Sequence, residues 1–299
     1  GANDVNMIKA AHIGIGVSGR EGAQAVMVAD FAVGQFRYLA RLLLVHGRWS
    51  YKRNKEVVLY AFYKNFVYCM GNVYLSFLSG FSSQPLYSTA MIATYNVLWT
   101  AFPTIVFGIW EEDMPEDKVI ADPSLYQETQ QERRKAFLKA MGGWLMAALV
   151  HSLVIFWGVI AATGGTSSPL GGKEDGFWAA GMVIYTTVIL VVNLKLAIRT
   201  RLWLPVMHVA LWGISIGLWF PFVVYVSYTW TTNDIFPELY YLHHVLFGNP
   251  AYWLTVLMLS AAVLPDLAFD VASKELAARR RRADNRGGTL AEGTAAPEL

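Results

Sequence analysis

The chain has 299 residues, of which 55% are hydrophobic and 15% are charged. Soluble domains average about 25% charged residues, so this composition excludes an ordinary water-soluble enzyme and indicates a membrane protein. The formal net charge of +2 is uninformative, although the distribution of the charges is not. The single cysteine, Cys69, lies in the first apolar stretch and excludes an intrachain disulfide.

Residues 1–36 have the pattern of the C-terminal end of an α/β domain. The predicted elements, in chain order, are a helix entered from a loop over Asn3–Ala11, a strand over His12–Val17, a helix over Gly19–Ala29 opened by a Ser18–Glu21 capping box, and a strand over Asp30–Val33. Gly14, Gly16 and Gly19 have the spacing of a dinucleotide-binding loop. That site needs an acidic residue about 20 positions on, where this chain has Gly34, so we interpret these glycines as a tight strand-to-helix turn.

Asn3 and Asp4 stand at the start of the first predicted helix. Asp and Asn at this position usually cap a helix. The chemical alternative is that their oxygens hold Mg²⁺ against a phosphoryl group, because Mg²⁺ prefers hard oxygen ligands. Both interpretations stay open from these two residues alone.

Six apolar segments follow the N-terminal part, each near the roughly 20 residues that a membrane-spanning helix needs. They are Val57–Leu78, Thr89–Trp110, Met141–Ala162, Phe177–Ile198, Leu202–Val226 and Pro250–Ala268. An even number places both termini on one side. With that side cytoplasmic, the predicted outer loops contain only Lys173 among the Lys and Arg residues, as the positive-inside rule requires. The tail after Ala283 is predicted to be disordered.

The first apolar segment contains a lysine, Lys64, roughly 10 Å from the segment's start at 1.5 Å per residue. A cation at this depth costs about 2.5–3.5 kcal/mol on insertion scales, and its default interpretation is a functional site. A spacing of four residues puts Tyr60, Tyr68 and Asn72 on the same helical face, so we expect this face to point into protein or a wet groove. The alternative is a lysine that snorkels to the membrane interface.

The second apolar segment carries Asn96 ahead of Pro103, which removes a helix hydrogen bond to the carbonyl of Trp99. Such a break is either an ordinary kink or part of a cavity lining. None of the six segments has a central Asp or Glu. A pump that dehydrates Ca²⁺, Na⁺ or K⁺ needs several oxygen ligands, normally anionic, so metal-ion transport is disfavoured. Lys64 suits an anion or an interior ion pair instead.

Several motifs together resemble those of P-type ATPases, and the run Gly19–Ala25 (GREGAQA) resembles the version typical of type IV, the phospholipid flippases. The similarity is specific from residue 1 to about residue 113, and beyond that it rests on hydropathy and spacing. The matching stretches are Gly1–Ile8, Gly14–Gln24, Gln35-Phe36, Leu42–Arg48, Tyr63–Asn65, Tyr95-Asn96 and Phe102-Pro103. The opening in mid-motif leads us to expect a fragment of a longer protein.

The resemblance implies a mainly α, polytopic membrane fold whose six segments are helices five to ten of a ten-helix pump. They are preceded by the C-terminal end of an α/β haloacid-dehalogenase-like phosphorylation domain. The implied divisions are 1–36, the end of the phosphorylation domain; 37–56, a cytoplasmic helical connection; 57–270, the transmembrane domain; and 271–299, a cytoplasmic, basic and disordered tail.

The resemblance also implies roles for individual residues. Asn3 and Asp4 match the family's catalytic Asn-Asp pair at the ATP and Mg²⁺ site, with Asp4 toward the metal. Lys64, Asn96 and Pro103 match positions along the lipid path. The phosphorylated aspartate and the actuator domain are outside this sequence, so the fragment alone is expected to be inactive.

The expected function is therefore part of an ATP-driven translocase that moves phospholipid from the outer to the cytoplasmic leaflet. The resemblance implies a eukaryotic endomembrane (Golgi or endosome) or plasma membrane, a two-span glycoprotein β subunit as partner, and no nucleic acid. The alternatives are a fragment of a metal-cation P-type pump and a truncated, non-catalytic membrane scaffold. One departure from the family is Ser83, which stands where glycine is common.

Overall fold

The computed structural model describes residues 4–19, 24–122, 125, 134–163, 176–233, 236–265 and 272. Asn3, Glu21 of the predicted capping box and almost all of the predicted tail lie outside the described residues. The chain divides into two compact units. The first falls within Gly1–Glu56 and Glu112–Phe137, and the second within Val57–Glu111 and Leu138–Leu299.

The first unit begins with an alternation of helices and strands. In chain order these are α1 (Val5–Ala10), β1 (Ile15–Val17), α2 (Gln24–Val28) and β2 (Phe31–Val33). The two strands pair in parallel, with Gly16 opposite Ala32, and a parallel pair needs a crossover such as α2. The predicted order is confirmed, although both strands are shorter than the sequence pattern indicates.

The glycines at the start of this unit allow close packing of its helices. A β carbon on Gly14 would lie 2.6 Å from Cγ2 of Ile8, and one on Gly16 would lie 3.1 Å from the carbonyl oxygen of Ala25. Helices α1 and α2 therefore lie against backbone that carries no side chain. At Gly14 and Gly16 the absence of a side chain is required by close packing.

The rest of the first unit forms a small core. Its elements are α3 (Tyr38–Arg41), a π-helical segment (Leu42–Gly47), the start of α4 (Arg48–Leu78) and α7 (Glu116–Ala121). Val45, Trp49 and Val119 are its buried hydrophobic residues, and Trp49 Nε1 donates to the carbonyl of Met114 at 3.0 Å. This core packs the helix that leads toward the apolar segments against the chain after Glu111.

The second unit has helices as its regular secondary structure in its described residues, and loops such as 79–88 connect them. It contains the remainder of α4, α5 (Thr89–Thr94), a π-helical segment (Tyr95–Trp99), α6 (Ala101–Trp110), α8 (Arg134–Thr163, which begins in the first unit), α9 (Phe177–Arg199), α10 (Pro205–His208), a second π-helical segment (Val209–Gly217), α11 (Trp219–Asn233), a 3₁₀ turn (Pro237–Leu239), α12 (Leu242–Phe247) and α13 (Pro250–Pro265). Sixteen residues of α9 are buried, which makes it the central helix of this unit.

Four helical stretches of the described chain are long and apolar enough to cross a membrane, namely Thr89–Trp110, Arg134–Thr163, Phe177–Arg199 and Pro205–Tyr228. The other two predicted spans are helical in their described residues, but they do not reach the same combination of length and apolar character. Residues 57–78 belong to the 31-residue helix α4, whose apolar character is diluted by Lys64 and several tyrosines. Helix α13 is described only as far as Pro265.

The loop between α4 and α5 turns back into the helices. Leu86, Tyr87 and Ser88 are almost completely buried, and the backbone N–H of Leu86 donates to Oδ1 of Asn72 at 3.0 Å. Ser83 has a φ of 63°, a left-handed conformation in which glycine carries no steric cost. This conformation gives a physical reason why a glycine suits position 83.

Candidate functional site

Helix α4 turns a polar face into the second unit. Tyr60 is 2% exposed and donates from its hydroxyl to the carbonyl of Val192 at 3.2 Å. Lys64, one turn further on, is 7% exposed, and Asn72 holds the loop that follows the helix. The polar residues at a spacing of four therefore do face protein, as the sequence predicts.

The ammonium group of Lys64 is held by two neutral side chains of the second apolar segment. Its Nζ donates to Oγ1 of Thr100 at 2.6 Å and to Oδ1 of Asn96 at 3.0 Å. It also lies 5.9 Å from the ring centroid of Tyr95. Thr100 is fully buried, whereas Asn96 is exposed. Lys64 is thus a packed interior cation one side chain away from the surface of the unit.

The acceptors of Lys64 lie at a break in the helical path. Helix α5 passes into the π-helical segment Tyr95–Trp99, and Thr100 then departs from helical geometry with φ −133° and ψ −11° before α6 begins. π-Helical turns leave side chains and carbonyls in positions that a regular α-helix does not offer, and they occur often at functional sites. Here the break points a hydroxyl and an amide at one ammonium group.

Pro103 and Asn193 determine how the backbone carbonyl of Trp99 is hydrogen-bonded at this break. Pro103 is buried in α6 and lacks the N–H that would serve the carbonyl of Trp99 in a regular helix. Asn193 of α9 donates from Nδ2 to that carbonyl at 3.1 Å. The freed carbonyl is therefore satisfied by a side chain from another helix, as membrane proteins require.

Tyrosines pack beside Lys64. The ring of Tyr68 stacks on Tyr95 at a centroid distance of 4.2 Å and on Tyr87 at 4.7 Å, and Tyr185 meets these rings edge-on. The Tyr95 hydroxyl donates to the carbonyl of Lys64 at 2.8 Å. Aromatic pairs of this kind contribute about 0.5–1.5 kcal/mol beyond their buried area. The stack fixes α4 against the π-helical segment.

The described residues contain no group of three or more His, Cys, Asp or Glu side chains that would hold a metal ion. The carboxylate of Glu111, the residue directly after α6, accepts from the backbone N–H groups of Arg201 at 2.8 Å and Leu202 at 3.4 Å. Glu111 therefore ties the turn before α10 to the end of α6. Around Lys64, the chemistry on offer is cationic and neutral-polar.

Asp4 lies at the start of α1, where the sequence places it. Its side chain is exposed and makes no cap hydrogen bond with the helix. One exposed carboxylate fits the demand of Mg²⁺ for oxygen ligands, but a complete site needs further ligands from elsewhere. Its neighbour Asn3 lies outside the described residues.

Sequence reasoning gave no role to three residues that the structure places in this unit. Thr100 shares a helical face with Asn96 at a spacing of four, and that spacing was the available signal. Asn193 is the only amide in the apolar segment Phe177–Ile198. Lys195 is 3% exposed, with its Nζ 4.6 Å from the ring centroid of Tyr63 and 4.9 Å from that of Trp144; its position near a helix end indicated only a lysine close to the inner face.

A cavity of about 320 Å³ lies between α8 and α13. Its lining runs from Gly143 to Val154 on α8 and includes Ala262 and Val263 on α13, with His151 as its polar residue. The Nδ1 atom of His151 is 2.6 Å from the hydroxyl of Tyr63. None of the residues that hold Lys64 lines this cavity.

Comparison with known proteins gives a consistent result. Residues 26–279 match the family model described as phospholipid-translocating P-type ATPase C-terminal. The chain is 36% identical over 270 residues to a probable phospholipid-transporting ATPase 5 of Arabidopsis thaliana, which covers 90% of this chain and 22% of that protein. It is 35% identical over 281 residues to a probable phospholipid-transporting ATPase IM of Homo sapiens, covering 90% and 23%.

The mouse phospholipid-transporting ATPase ID is 33% identical over 282 residues, again covering 90% of this chain and 22% of the relative. The chain thus spans about a fifth of the length of the curated relatives that it matches. Because the family model covers most of its residues, the chain belongs to the phospholipid-translocating P-type ATPase family, of which it is a C-terminal portion.

Proposed function

We propose that this chain supplies the membrane part of an ATP-driven phospholipid translocase, and that the lipid headgroup passes beside Lys64. The observation that carries the proposal is the ammonium of Lys64 held by Thr100 and Asn96 at a break in the neighbouring helix. Family membership and the names of the relatives support the same class of substrate.

The chemistry of the site suits a phospholipid headgroup. A phosphodiester is an anion whose oxygens accept hydrogen bonds, and an ammonium group, a hydroxyl and an amide are the complementary groups. Asn96 is exposed beside the buried ammonium, so a headgroup that reaches Asn96 is one side chain away from Lys64. A cation pump needs the opposite arrangement, with anionic oxygens at this depth.

In the whole protein, ATP would phosphorylate an aspartate outside this chain, which divides a difficult phosphoryl transfer into two steps. Asn3 and Asp4 would stand at the ATP and Mg²⁺ site, where Asp4 contributes one carboxylate. Residues 1–36 would end the phosphorylation domain, residues 37–56 would connect it to the membrane, and the fragment by itself would turn over no ATP.

The membrane arrangement that we propose has six spans within residues 57–270, both termini in the cytoplasm, and lipid moving from the outer to the cytoplasmic leaflet. The distribution of Lys and Arg supports this orientation. A eukaryotic endomembrane or plasma membrane and a two-span β subunit complete the proposal. The basic tail 271–299 would lie on the cytoplasmic side.

The test uses the full-length protein in vesicles of defined phospholipid. Lys64→Met, which keeps the length and loses the charge, should abolish most of the lipid-stimulated ATP hydrolysis, about tenfold or more for a loss of 1.4 kcal/mol. Formation of the phosphoenzyme from ATP should persist. Asn65→Ala, on the next residue of α4, serves as the matched control and should behave as the wild type.

Two results would overturn the proposed function. One is a Lys64→Met protein whose half-saturating lipid concentration and maximal turnover both equal those of the wild type. The other is a wild-type protein whose ATP hydrolysis responds to a metal cation and ignores every phospholipid offered.

A further inference from the structure

We propose that Asn193 is a positioning residue for the lipid path, acting through the peptide between Trp99 and Thr100 to keep the acceptors of Lys64 in place. The proposal deepens the proposed function, on which its transport readout rests. Asn193 lies on α9, 94 residues along the chain from Trp99, and is 0% exposed.

The amide nitrogen of Asn193 serves two carbonyl groups. Its Nδ2 donates to the carbonyl of Trp99 at 3.1 Å and to that of Ile189, one turn back on its own helix, at 2.9 Å. Both of its N–H donors are therefore used. Because two carbonyl oxygens face this atom, only the nitrogen end of the amide satisfies the site, which fixes the orientation of the side chain.

The other end of the same amide shows why asparagine is present. Within the described part of the chain, Asn193 Oδ1 is buried and has no hydrogen-bond partner. A buried acceptor without a hydrogen bond costs about 1–3 kcal/mol of folding free energy. Asn193 accordingly carries a cost at one end while its other end holds a backbone carbonyl that Pro103 leaves without its helical donor.

The held carbonyl is joined directly to the residue that holds Lys64. The carbonyl of Trp99 and the nitrogen of Thr100 belong to one planar peptide unit, so a hydrogen bond on that carbonyl limits rotation of the unit. Thr100 follows in a non-helical conformation, and its hydroxyl both accepts from Lys64 at 2.6 Å and donates to the carbonyl of Tyr95 at 2.9 Å. Releasing the Trp99 carbonyl therefore frees the hydroxyl that orients the ammonium.

The test compares Asn193→Leu and Asn193→Asp, which nearly keep the side-chain volume and remove the amide donor, with Thr187→Val. Thr187 is equally buried on α9, but its hydroxyl donates to Val183 of its own helix at 2.8 Å. In the full-length protein, both Asn193 variants should raise the half-saturating lipid concentration about 5- to 30-fold, with phosphoenzyme formation retained. Thr187→Val should leave both unchanged.

A double-mutant comparison separates positioning from general loss of packing. If Asn193 acts through Thr100, adding Asn193→Leu to Thr100→Val should worsen lipid affinity by less than about twofold beyond Thr100→Val, since coupled sites are not additive. Fully multiplicative effects, or an Asn193→Leu protein with wild-type lipid affinity, would overturn the proposal.

A second readout does not depend on lipid transport. The rate at which an amine-reactive reagent modifies Lys64 in the full-length protein, followed by mass spectrometry, should rise several-fold in Asn193→Leu and stay constant in Thr187→Val. If no phospholipid stimulates the wild type, the proposed function fails, while equal modification rates in Asn193→Leu and the wild type would refute the positioning role by itself.

Discussion

The ammonium nitrogen of Lys64 lies 2.6 Å from the hydroxyl oxygen of Thr100, inside the second unit and with Thr100 0% exposed. The same hydroxyl donates to the carbonyl of Tyr95. The Thr100 side chain thus binds the Lys64 ammonium group and also hydrogen-bonds the backbone of the π-helical segment that precedes it. A valine at this position has nearly the same shape and neither hydrogen bond.

Thr100→Val should therefore lower the free energy of unfolding by about 1–3 kcal/mol. The Lys64 ammonium group and the Tyr95 carbonyl would both lose their hydrogen bond to the Thr100 hydroxyl. Thr187→Val is the control, since its hydroxyl bonds only to its own helix among the contacts described. Thermal unfolding of the two variants in the same detergent measures the difference. Equal stabilities would show that the hydroxyl of Thr100 does not hold Lys64.

The first unit contains an ion pair between the buried Arg48 and the partly buried Asp113. Arg48 is 3% exposed, and its Nη2 and Nε lie 2.7 and 2.9 Å from Oδ2 of Asp113; it also donates to the carbonyl of Leu125. Arg48→Lys keeps the charge and loses the planar fork. We expect it to destabilise this unit by about 1.5–3 kcal/mol, as for hydrogen bonds to charged groups.

Arg41→Lys provides the matched comparison, because Arg41 pairs with Glu116 in the same unit at 2.7 Å but with 57% of its side chain exposed. An exposed pair contributes about 0–1 kcal/mol. Hydrogen exchange of the α7 amides measures the local stability in both variants. An effect of Arg41→Lys as large as that of Arg48→Lys would contradict this assignment.

The loop 79–88 is seated against glycines of two helices. A β carbon on Gly181 would overlap the carbonyl oxygen of Leu86, and one on Gly71 would lie 2.8 Å from the hydroxyl of Tyr87. Gly181→Ala should cost about 1–3 kcal/mol, since the backbone of the loop has to move. Gly142→Ala on α8 meets open space and should be neutral or stabilise its helix by up to about 1 kcal/mol.

Thermal unfolding and protease sensitivity of the loop check this prediction. A Gly181→Ala protein as stable as Gly142→Ala, with the loop equally protected, would mean that the loop is not seated where the structure puts it.

Acid should lower the local stability of α12 by protonating His243. Burial and the neighbouring His244 lower the pKa of His243 below its ordinary value of 6.5, and its ring packs 4.6 Å from the ring centroid of Tyr228. Between the lowered pKa and 6.5 the unfolded segment binds more protons than the folded one. The contribution of neutral His243 to the stability of the segment is therefore fully present above about pH 6.5 and is lost as the pH falls toward the lowered pKa.

Hydrogen exchange over residues 236–250, measured on both sides of pH 6.5 and expressed as protection factors corrected for the intrinsic pH dependence of exchange, should report this loss in the wild type. His243→Phe should remove most of it, because the ring is kept and the titrating group is not. Protection factors that fall equally at low pH in both proteins would assign the effect to another group.

Much of the helical pattern follows from the sequence, because hydropathy and spacing are local properties. The spacing-of-four series around Lys64 correctly placed that residue on an inward face, and Pro103 correctly identified Trp99 as a carbonyl in need of a donor. The described part of α2, Gln24–Val28, lies within the predicted helix Gly19–Ala29.

The partners across the fold could not be predicted, because nothing local specifies them. Asn193 is 94 residues from Trp99, and Arg48 is 65 residues from Asp113. The π-helical segments are equally hidden in the sequence: they arise where packing and proline displace hydrogen bonds, which an apolar run does not reveal. The sequence thus identified the cation of the site and left most of its support to the structure.

The most direct test of the account is to map where a transported phospholipid touches the full-length protein, using a lipid with a photoreactive group on its headgroup. During ATP-driven turnover, the cross-links should fall on the peptide that carries Asn96 and on the one that carries Lys64, and should weaken in Lys64→Met. Cross-links confined to other helices, with transport intact in Lys64→Met, would contradict a headgroup path beside this lysine.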